Sequence, residues 1–393
     1  MKPRIALVTS YFPSEEEPYR GQSTYQALRH LADRAEWCAF VPYLTYPAWY
    51  NPAQTRYRVM KVDQQARVDI PARYFRYGTA PLVGRPLNGE FAYRKVRQAV
   101  RDFAPDLILS YWLYPDGYAS VRLGRQLRIP AIVGALGSDL RRIDDWATKY
   151  WTGWTLRGAA HTIAVSGELA ERAVAMGSPR ERTHAILNGY DEAVFYPGHR
   201  LAERRLLGIE PDAEVVLYVG SLIPSKGIPE LMTAFRALAA RRPRLMLVCG
   251  GEGPLAADMR RNAEEAGLGA RLLLPGKLSG QQVRQWMVAS NLFCLPSHSE
   301  GCPNVVVEAL ACGRAVVASR VGGIPELVNA RNGVLTPVRD AAALETALAQ
   351  TLERSWDQTA VAATYQRSWH EVAEDTWDVC QLALAAGRAH RAA

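Results

Sequence analysis

The sequence has 393 residues, of which 48% are hydrophobic and 22% are charged, with 47 Lys plus Arg against 39 Asp plus Glu. This composition excludes a disordered chain, a collagen-like chain and a small disulfide-stapled scaffold, and the length predicts two or three domains. The net charge of +8 is confined to the first half, because residues 1–200 carry 27 basic and 19 acidic side chains and residues 201–393 carry 20 of each. Such an excess favours an anionic partner for the first half, either phosphate groups or a membrane surface.

Short apolar runs alternate with amphipathic stretches along the whole chain. In the first half we predict strands at residues 4–8, 37–41, 107–109, 131–133 and 161–165, and helices at 22–33, 87–103, 117–127 and 167–176. In the second half we predict strands at 215–219, 245–248, 271–274, 292–295 and 315–319, and helices at 228–241, 255–267, 280–289, 304–312 and 341–352. Continuous apolar strands that alternate with helices indicate parallel sheets covered on both faces.

The predicted fold class is therefore α/β, with two doubly wound, Rossmann-like domains facing across a cleft. We place the first domain at residues 1–190, a linker rich in Gly, Pro and charge at 191–211, and the second domain at 212–360. Residues 361–393 are expected to form helices that cross back to the first domain. Domains of this class bind ligands at the carboxyl ends of their strands, so functional motifs should directly follow strands.

The compartment is predicted from cysteines and apolar runs. The six cysteines form no C-x-x-C pair and lie mostly in apolar runs, which predicts buried, reduced thiols. No run of about 18 apolar residues is present, and the apolar stretch from Ile5 to Val8 is too short for a signal-peptide core. We therefore expect a cytoplasmic protein.

The most informative motif is SEGCPNVVVEALACG at residues 299–313, directly after a predicted strand. Pro303 suits the first turn of a helix, whose free amides would bind anions and hydroxyl groups. Glu300 precedes this helix and Glu308 lies inside it, so the two carboxylates could accept hydrogen bonds from both ends of an extended ligand with phosphates between them. Taken singly, each glutamate is more simply a helix-end or surface charge, but Glu308 is surrounded by apolar neighbours and needs a partner.

This motif, together with AVVAS at 315–319 and VGGIPE at 321–326, closely resembles the family-four glycosyltransferases, which are retaining, nucleotide-sugar-dependent enzymes of the GT-B fold. The resemblance covers nearly the whole chain and includes Gly220-Ser221-Leu222 with Lys226-Gly227, GGEGPL at 250–255, PGKL at 275–278 and NGYD at 188–191. It extends to members that build bacterial exopolysaccharides. It leaves the transferred sugar open.

The resemblance implies a set of donor-binding residues, namely Gly21, Ser221, Lys226, Gly251, Lys277, Leu278, Glu300, Gly301, Cys302, Pro303, Asn304, Val305 and Glu308. Lys226 and Glu300 would be the catalytic residues, with Lys226 on the pyrophosphate and Glu300 on the hydroxyls of the sugar. Glu308 would bind the ribose, and the backbone near Lys277 would hold the base. A fixed cation and helix amides would stabilise the departing nucleoside diphosphate, so neither a metal nor a cofactor is expected.

Two positions depart from the family pattern. Ser221 stands where many members have an arginine, so one phosphate-neutralising charge is missing. Leu136 stands where many members have a histidine before Gly137-Ser138-Asp139, which weakens any proposal of a general-base histidine. The departing phosphate could take the acceptor's proton instead. Asp139 is interpreted either as a helix N-cap or as a ligand of an acceptor hydroxyl, and His298 is of interest because it lies two residues before Glu300.

The acceptor side is predicted from aromatic and basic residues. They are interleaved between residues 43 and 101, as on a surface that binds anionic headgroups or a lipid diphosphate, although a solvated insertion fits as well. Tyr111 and Trp112 belong to a loop after a predicted strand and are candidates for acceptor binding or for core packing. Nucleic acid is not expected, since no binding motif accompanies the charge.

The sequence thus predicts a retaining enzyme that moves a sugar from a UDP- or GDP-sugar to an acceptor. The expected acceptor is a lipid-linked oligosaccharide or another phosphorylated molecule, used in bacterial envelope polysaccharide synthesis on the inner face of the cytoplasmic membrane. The alternatives are a transferase with a soluble acceptor, a catalytically silent nucleotide-sugar binder, and an epimerase of the same fold.

Overall fold

The computed structural model describes residues 2–14, 20–46, 70–79, 84–141, 143 and 145–392. The chain divides into two compact units, one of Met1–Leu187 with Trp369–Ala393 and one of Asn188–Ser368. Residues 191–211, expected as a linker, belong to the second unit. Of the carboxyl-terminal residues 361–393, those up to 368 belong to the second unit and the remainder to the first.

The strands and helices of the described residues are as follows. The strands are β1 Arg4–Val8, β2 Glu36–Thr45, β3 Ala72–Gly78, β4 Leu107–Tyr111, β5 Ala131–Ala135, β6 His161–Ala164, β7 Thr183–Ala185, β8 Glu214–Val219, β9 Leu245–Gly250, β10 Leu272–Gly276, β11 Leu292–Leu295, β12 Ala315–Ser319 and β13 Gly333–Thr336. The helices are α1 Gln22–Arg29, α2 Asn88–Phe103, α3 Tyr118–Leu127, α4 Ser138–Arg141, α5 Trp146–Gly158, α6 Gly167–Ala175, α7 Arg200–Leu207, α8 Ile228–Ala239, α9 Ala256–Glu265, α10 Gly280–Ala289, α11 Asn304–Ala311, α12 Ile324–Leu327, α13 Ala341–Glu353, α14 Gln358–Ala362 and α15 Trp369–Ala392.

The first unit is built on a seven-stranded sheet in the order β3-β2-β1-β4-β5-β6-β7, and every pairing in it is parallel. The central strands are apolar and buried, as in Ile5 and Leu7 of β1, which are fully shielded from solvent. Trp369 and Trp377 of α15 join the same core cluster. The strand order reverses between β1 and β4, so the crevice at their carboxyl ends is the expected ligand position in this unit.

The second unit is built on a six-stranded, wholly parallel sheet in the order β10-β9-β8-β11-β12-β13. Its strand order reverses between β8 and β11. The predicted α/β class with two doubly wound, Rossmann-like domains is confirmed. Because ligands of such sheets bind where the order reverses, the loops that follow β8 and β11 should form the site of this unit.

The sequence also predicted reduced cysteines and no membrane-spanning segment. The six cysteines are all buried and none forms a disulfide, as the apolar runs predicted. Within the part of the chain that the structure describes, no helix combines the length and the apolar character needed to cross a membrane.

Candidate active site

Lys226 and Glu300 meet at the crevice between β8 and β11 in the second unit. Lys226 ends a short 3-10 turn after β8, and Glu300 lies in the loop after β11. Gly227 has a φ of 73°, and a Cβ on it would lie 2.0 Å from the Pro296 carbonyl oxygen, so only glycine lets the two loops approach this closely. Lys226 Nζ donates to Glu300 Oε1 at 2.5 Å, with the side chains 26% and 11% exposed. The two predicted catalytic residues are therefore paired with each other.

The helix after this loop begins at the residue predicted from the sequence, but Pro303 lies just before it. α11 starts at Asn304, and Pro303 is its N-cap residue with φ −75° and ψ 116°, outside the first turn where it was expected. Within the described residues no side chain caps this end, and the amides of a helix's first turn form a surface that suits anions. The amide of Gly323 fixes the loop from the other side by donating to the Gly301 carbonyl at 2.7 Å.

Glu308 carries a half-buried carboxyl on α11. Desolvation by burial raises its pKa from 4.5 to about 7. Among the residues that the structure describes, none offers its carboxyl a hydrogen bond or an ion pair. A desolvated carboxyl without a protein partner is suited to accept hydrogen bonds from ligand hydroxyls.

Asn188 supports the loop and was missed as a site residue by the sequence analysis. Its Nδ2 donates to the Cys302 carbonyl and to Asn304 Oδ1, both at 2.8 Å, and its side chain is buried. Its backbone N–H lies 3.4 Å from Cys302 Sγ. Burial raises the pKa of the Cys302 thiol to about 12, so this cysteine stays protonated and packs as an apolar group. The only sequence signal for Asn188 was its place in the family motif.

The glycines after β8 and β9 bring two turns into contact. Gly251 has a φ of 136°, and a Cβ on it would lie 2.0 Å from the Gly220 carbonyl oxygen. Leu278, in the loop after β10, packs on Gly250, whereas the side chains of Lys277 and Ser221 are exposed. The structure thus places all the second-unit residues implied by the resemblance at the carboxyl end of the sheet.

Gly21 lies at the carboxyl end of β1 in the first unit. It is the N-cap residue of α1 with a φ of 66°, and a Cβ on it would lie 2.2 Å from the Tyr11 carbonyl oxygen. Arg20 Nε donates to the Ser10 carbonyl at 3.1 Å. The glycine is therefore required for close backbone approach, which a plain helix-start residue would not be.

Asp139 does not have the N-cap role that was one of the two predicted for it. It lies inside α4, which begins at Ser138, so it is not the N-cap residue. Its carboxylate accepts from the backbone amides of Gly137 at 2.7 Å, Leu136 at 3.1 Å and Leu113 at 3.3 Å, and the residue is 8% exposed. Burial raises its pKa and these amides oppose the shift. The carboxylate therefore fixes the turn after β5, and its role toward an acceptor stays a prediction.

Tyr111 and Trp112 differ in their surroundings. Tyr111 is 5% exposed within the core cluster, so it is a packing residue. Trp112 has a φ of 141°, which is strained for a non-glycine residue, and its partly exposed ring lies 4.9 Å from that of Tyr11. Of the two acceptor candidates, the structure leaves Trp112 available at the crevice between β1 and β4.

Asp116 in the same crevice was not predicted as a site residue. It is fully buried and accepts from the Ser10 amide at 2.6 Å and from Ser10 Oγ at 2.5 Å. Desolvation by burial raises its pKa to about 7 despite these bonds. Much of the basic and aromatic stretch between residues 43 and 101 lies outside the described residues, at 47–69 and 80–83.

Two family models match the chain. The model of glycosyl transferases group 1 matches residues 200–369, and that of the glycosyl transferase 4-like domain matches residues 21–189. Together with the fold and the site described above, they establish that the chain belongs to the family-four type of glycosyltransferases. The protein is a transferase.

Several curated relatives and solved structures are similar to it. A Bacillus subtilis protein named for teichuronic acid biosynthesis, the glycosyltransferase TuaC, is 26% identical over 98% of this chain and 95% of that protein. The D-inositol 3-phosphate glycosyltransferase of Saccharomonospora viridis is 34% identical, but the chain spans under half of it, 43%, and the match covers 44% of this chain.

Among solved structures, Anabaena HepE in complex with UDP and glucose matches with a TM-score of 0.71 and 20% identity over 97% of this chain and 100% of that one. Sucrose-phosphate synthase from Thermosynechococcus elongatus matches with a TM-score of 0.68 and 23% identity, over 99% of this chain and 98% of that one. These likenesses establish the GT-B fold.

Proposed function

We propose that this enzyme transfers a sugar, with retention of anomeric configuration, from a UDP- or GDP-sugar to a phosphorylated or lipid-linked acceptor. The observation that carries the proposal is the second-unit crevice, where Lys226 pairs with Glu300 beside the first turn of α11, and where the Glu308 carboxyl has no partner among the described residues. The cation and the helix end suit the phosphates of a nucleotide sugar, and the two carboxylates suit the hydroxyl groups of its sugar and its ribose. The UDP named in the HepE structures is consistent with this donor class.

Each group of the crevice then has a role in binding. Glu308 accepts hydrogen bonds from the ribose hydroxyls, and the amides of Gly301, Asn304 and Val305 line the phosphates and the sugar. Lys226 leaves Glu300 to neutralise the pyrophosphate, and Glu300 turns to the sugar hydroxyls. Ser221 and Gly251 border the pyrophosphate through the turns after β8 and β9, and the backbone at Lys277 and Leu278 holds the base.

The transfer step follows from these contacts. The bond between the anomeric carbon and the distal phosphate oxygen breaks while the acceptor oxygen attacks from the same face. The electron pair of the broken bond goes to the leaving phosphate, which Lys226 and the helix amides stabilise. The acceptor's proton goes to the leaving phosphate oxygen, since Leu136 stands where a histidine base would lie. Lys226 and the amides supply the charge stabilisation, so the proposal includes no metal or cofactor.

The acceptor proposal is supported by the first unit. Its basic excess favours a phosphorylated molecule, and Trp112 offers an aromatic surface beside β1 and β4. TuaC is named for teichuronic acid biosynthesis, and the solved structure of WaaB, a lipopolysaccharide outer core galactosyltransferase, has a TM-score of 0.67 with 15% identity. We therefore place the reaction in bacterial exopolysaccharide or lipopolysaccharide synthesis, at the cytoplasmic face of the inner membrane.

A soluble phosphorylated acceptor is the second candidate. The observation in its favour is the similarity to D-inositol 3-phosphate glycosyltransferases, whose named acceptor is a small phosphorylated molecule. The two candidates differ in one measurable respect. A lipid-linked acceptor predicts flotation of the enzyme with anionic vesicles and activity only with lipid, whereas a soluble acceptor predicts activity without lipid.

The donor is tested by thermal shift with UDP-, GDP- and ADP-sugars. A specific donor at 100 times its dissociation constant stabilises the folded state by about 2.7 kcal/mol. The anomeric configuration of the product, read by NMR, tests retention. No shift with any donor contradicts the proposal, and a Glu300→Ala variant that fully replaces the wild type in the cell favours a silent binder.

A further inference from the structure

His298 joins the two loops that carry the proposed catalytic residues. Its backbone N–H donates to the Ser225 carbonyl at 3.0 Å, in the turn that ends at Lys226. Its imidazole Nε2 lies 3.0 Å from Oε1 of Glu230 in the first turn of α8. The side chains of the histidine and the glutamate are 18% and 17% exposed. One residue, two positions before Glu300, thus holds both the turn after β8 and the helix that follows it.

The Glu230 carboxylate depends on His298 for its side-chain hydrogen bond. The second carboxylate oxygen of Glu230, Oε2, is buried and has no partner among the described residues. The helix dipole favours a carboxylate in this first turn of α8, and within the described part of the chain His298 alone gives it a side-chain hydrogen bond. Removal of the imidazole therefore leaves a shielded carboxylate unpaired, and the loop loses its attachment to α8.

Among the described residues, three polar contacts join the loop after β11 to the turn after β8 and to α8, the helix that follows this turn. Two are made by His298, and the third is the ion pair of Lys226 with Glu300. Under the proposed function, donor binding breaks the third contact, because the lysine turns to the pyrophosphate and the glutamate to the sugar. Neither contact of His298 uses a donor-binding side chain, so both persist in the complex.

We propose that His298, held by Glu230, is a positioning residue for sugar transfer. It sets the spacing between the cation at Lys226 and the carboxylate at Glu300 once the donor has separated them. The proposal rests on the proposed function. Because Glu308 and the helix amides hold the nucleotide from another element, the loss of His298 should impair use of the nucleotide sugar while affinity for the free nucleoside diphosphate stays nearly unchanged.

The test compares purified variants of the full chain. His298→Ala removes both the hydrogen-bond donor to Glu230 and the packing of the imidazole ring. His298→Gln, in contrast, places an amide N–H where the imidazole Nε2 lies. Misplacement of reacting groups by about 1 Å costs up to about 100-fold in rate, so we expect His298→Ala to lower kcat/KM for the nucleotide sugar by about 30-fold. UDP affinity by calorimetry should change less than about threefold, and His298→Gln should recover most of the rate.

A matched control is available in the first unit. His370 lies 3.7 Å from Glu374 on α15, with its side chain 61% exposed. His370→Ala removes a histidine from a His–Glu pair without touching the site, and its kinetics should equal those of the wild type. Should His298→Ala not fold, Glu230→Gln carries the test: it weakens the same contact from the other partner, so it should lower kcat/KM for the nucleotide sugar while UDP affinity stays within about threefold.

Unchanged kcat and KM in His298→Ala would overturn the inference while the proposed function stands. So would a glutamine variant as slow as the alanine variant with the same melting temperature as the wild type, or a parallel loss of UDP affinity. If the wild-type enzyme transfers no sugar from any nucleotide sugar, both the inference and the proposed function fail. The wild-type assay therefore separates the two cases.

Discussion

Replacement of Glu300 by glutamine should separate nucleotide binding from sugar transfer. In the free enzyme Glu300 accepts a hydrogen bond from Lys226 at 2.5 Å, so the two groups neutralise each other. A nucleoside diphosphate must detach the lysine before it can use its charge. Glutamine keeps the shape and one oxygen acceptor but removes the charge, so Lys226 becomes easier to detach. UDP alone should then bind more tightly, while transfer from the nucleotide sugar becomes slower.

The magnitude follows from the geometry of the pair. At 2.5 Å and an effective dielectric constant of 20, two unit charges attract by about 7 kcal/mol, most of which is offset by the desolvation of both groups. A hydrogen bond to a charged group contributes about 1.5–3 kcal/mol net, and the partial exposure of Lys226 favours the lower figure. If the Lys226–Glu300 pair is weakened by about 1.4 kcal/mol, UDP has less to displace and should bind about tenfold more tightly. Loss of a charged acceptor for the sugar hydroxyls slows kcat by about 10- to 100-fold.

Calorimetry with UDP and GDP at constant ionic strength measures the affinity, and initial rates measure the transfer. Glu345→Gln is the matched control, because Glu345 of α13 pairs with Arg241 on the surface of the same unit, and its removal should alter neither quantity. If Glu300→Gln binds the nucleoside diphosphate more weakly than the wild type, the ion pair does not compete with the nucleotide. Equal losses of affinity and rate would assign Glu300 to the nucleotide and refute its role at the sugar.

Three further predictions concern stability and loop geometry. Because burial raises the pKa of Glu308 from 4.5 to about 7, the folded state binds this proton more tightly than the unfolded chain, and wild-type stability should fall as pH rises through that range. Glu308→Gln should reduce this loss of unfolding free energy, measured in urea, by on the order of 2 kcal/mol after allowance for solvent screening. A variant whose stability depends on pH as the wild type's does would contradict the assignment. Gly227→Ala should cost about 2–4 kcal/mol and abolish transfer, whereas Gly208→Ala, with φ 67° and open space, should cost about 1 kcal/mol and leave transfer intact. Desolvation by burial lowers the pKa of His161 and His184, so the unfolded chain binds these protons more tightly than the folded state does. The stability of the first unit should therefore decrease as the pH decreases through about 6.5. His184→Gln should lessen this decrease in thermal melts recorded between pH 7.5 and 5.5.

The elements that the sequence misses are those without a clear apolar pattern. β3, Ala72–Gly78, contains two arginines and alternates between exposed and partly buried positions at the edge of the sheet, so it has no continuous apolar run. α5, Trp146–Gly158, exposes the aromatic residues Trp146 and Tyr150 and buries several threonines, so it shows little amphipathic contrast. The central strands, in contrast, are buried on both faces, and their sequences show it directly.

The sequence by itself determined the α/β class, the two doubly wound halves, the family and the loop that holds the donor candidates. These features depend on local patterns, because buried parallel strands are apolar throughout and the helix-start motif is contiguous. It also indicated that Glu308 needed a partner, since its neighbours in the chain are apolar.

Only the tertiary structure decided which residues meet. Lys226 and Glu300 are 74 positions apart, and Asn188 is 114 positions from the Cys302 carbonyl that it fixes. The carboxylate of Asp139 is occupied by backbone amides, which no residue pattern reveals because any residue can supply an amide. Hydrogen bonds and ion pairs of this kind form where the strand order of a parallel sheet brings distant loops to one edge, so their partners follow from topology and not from spacing along the chain.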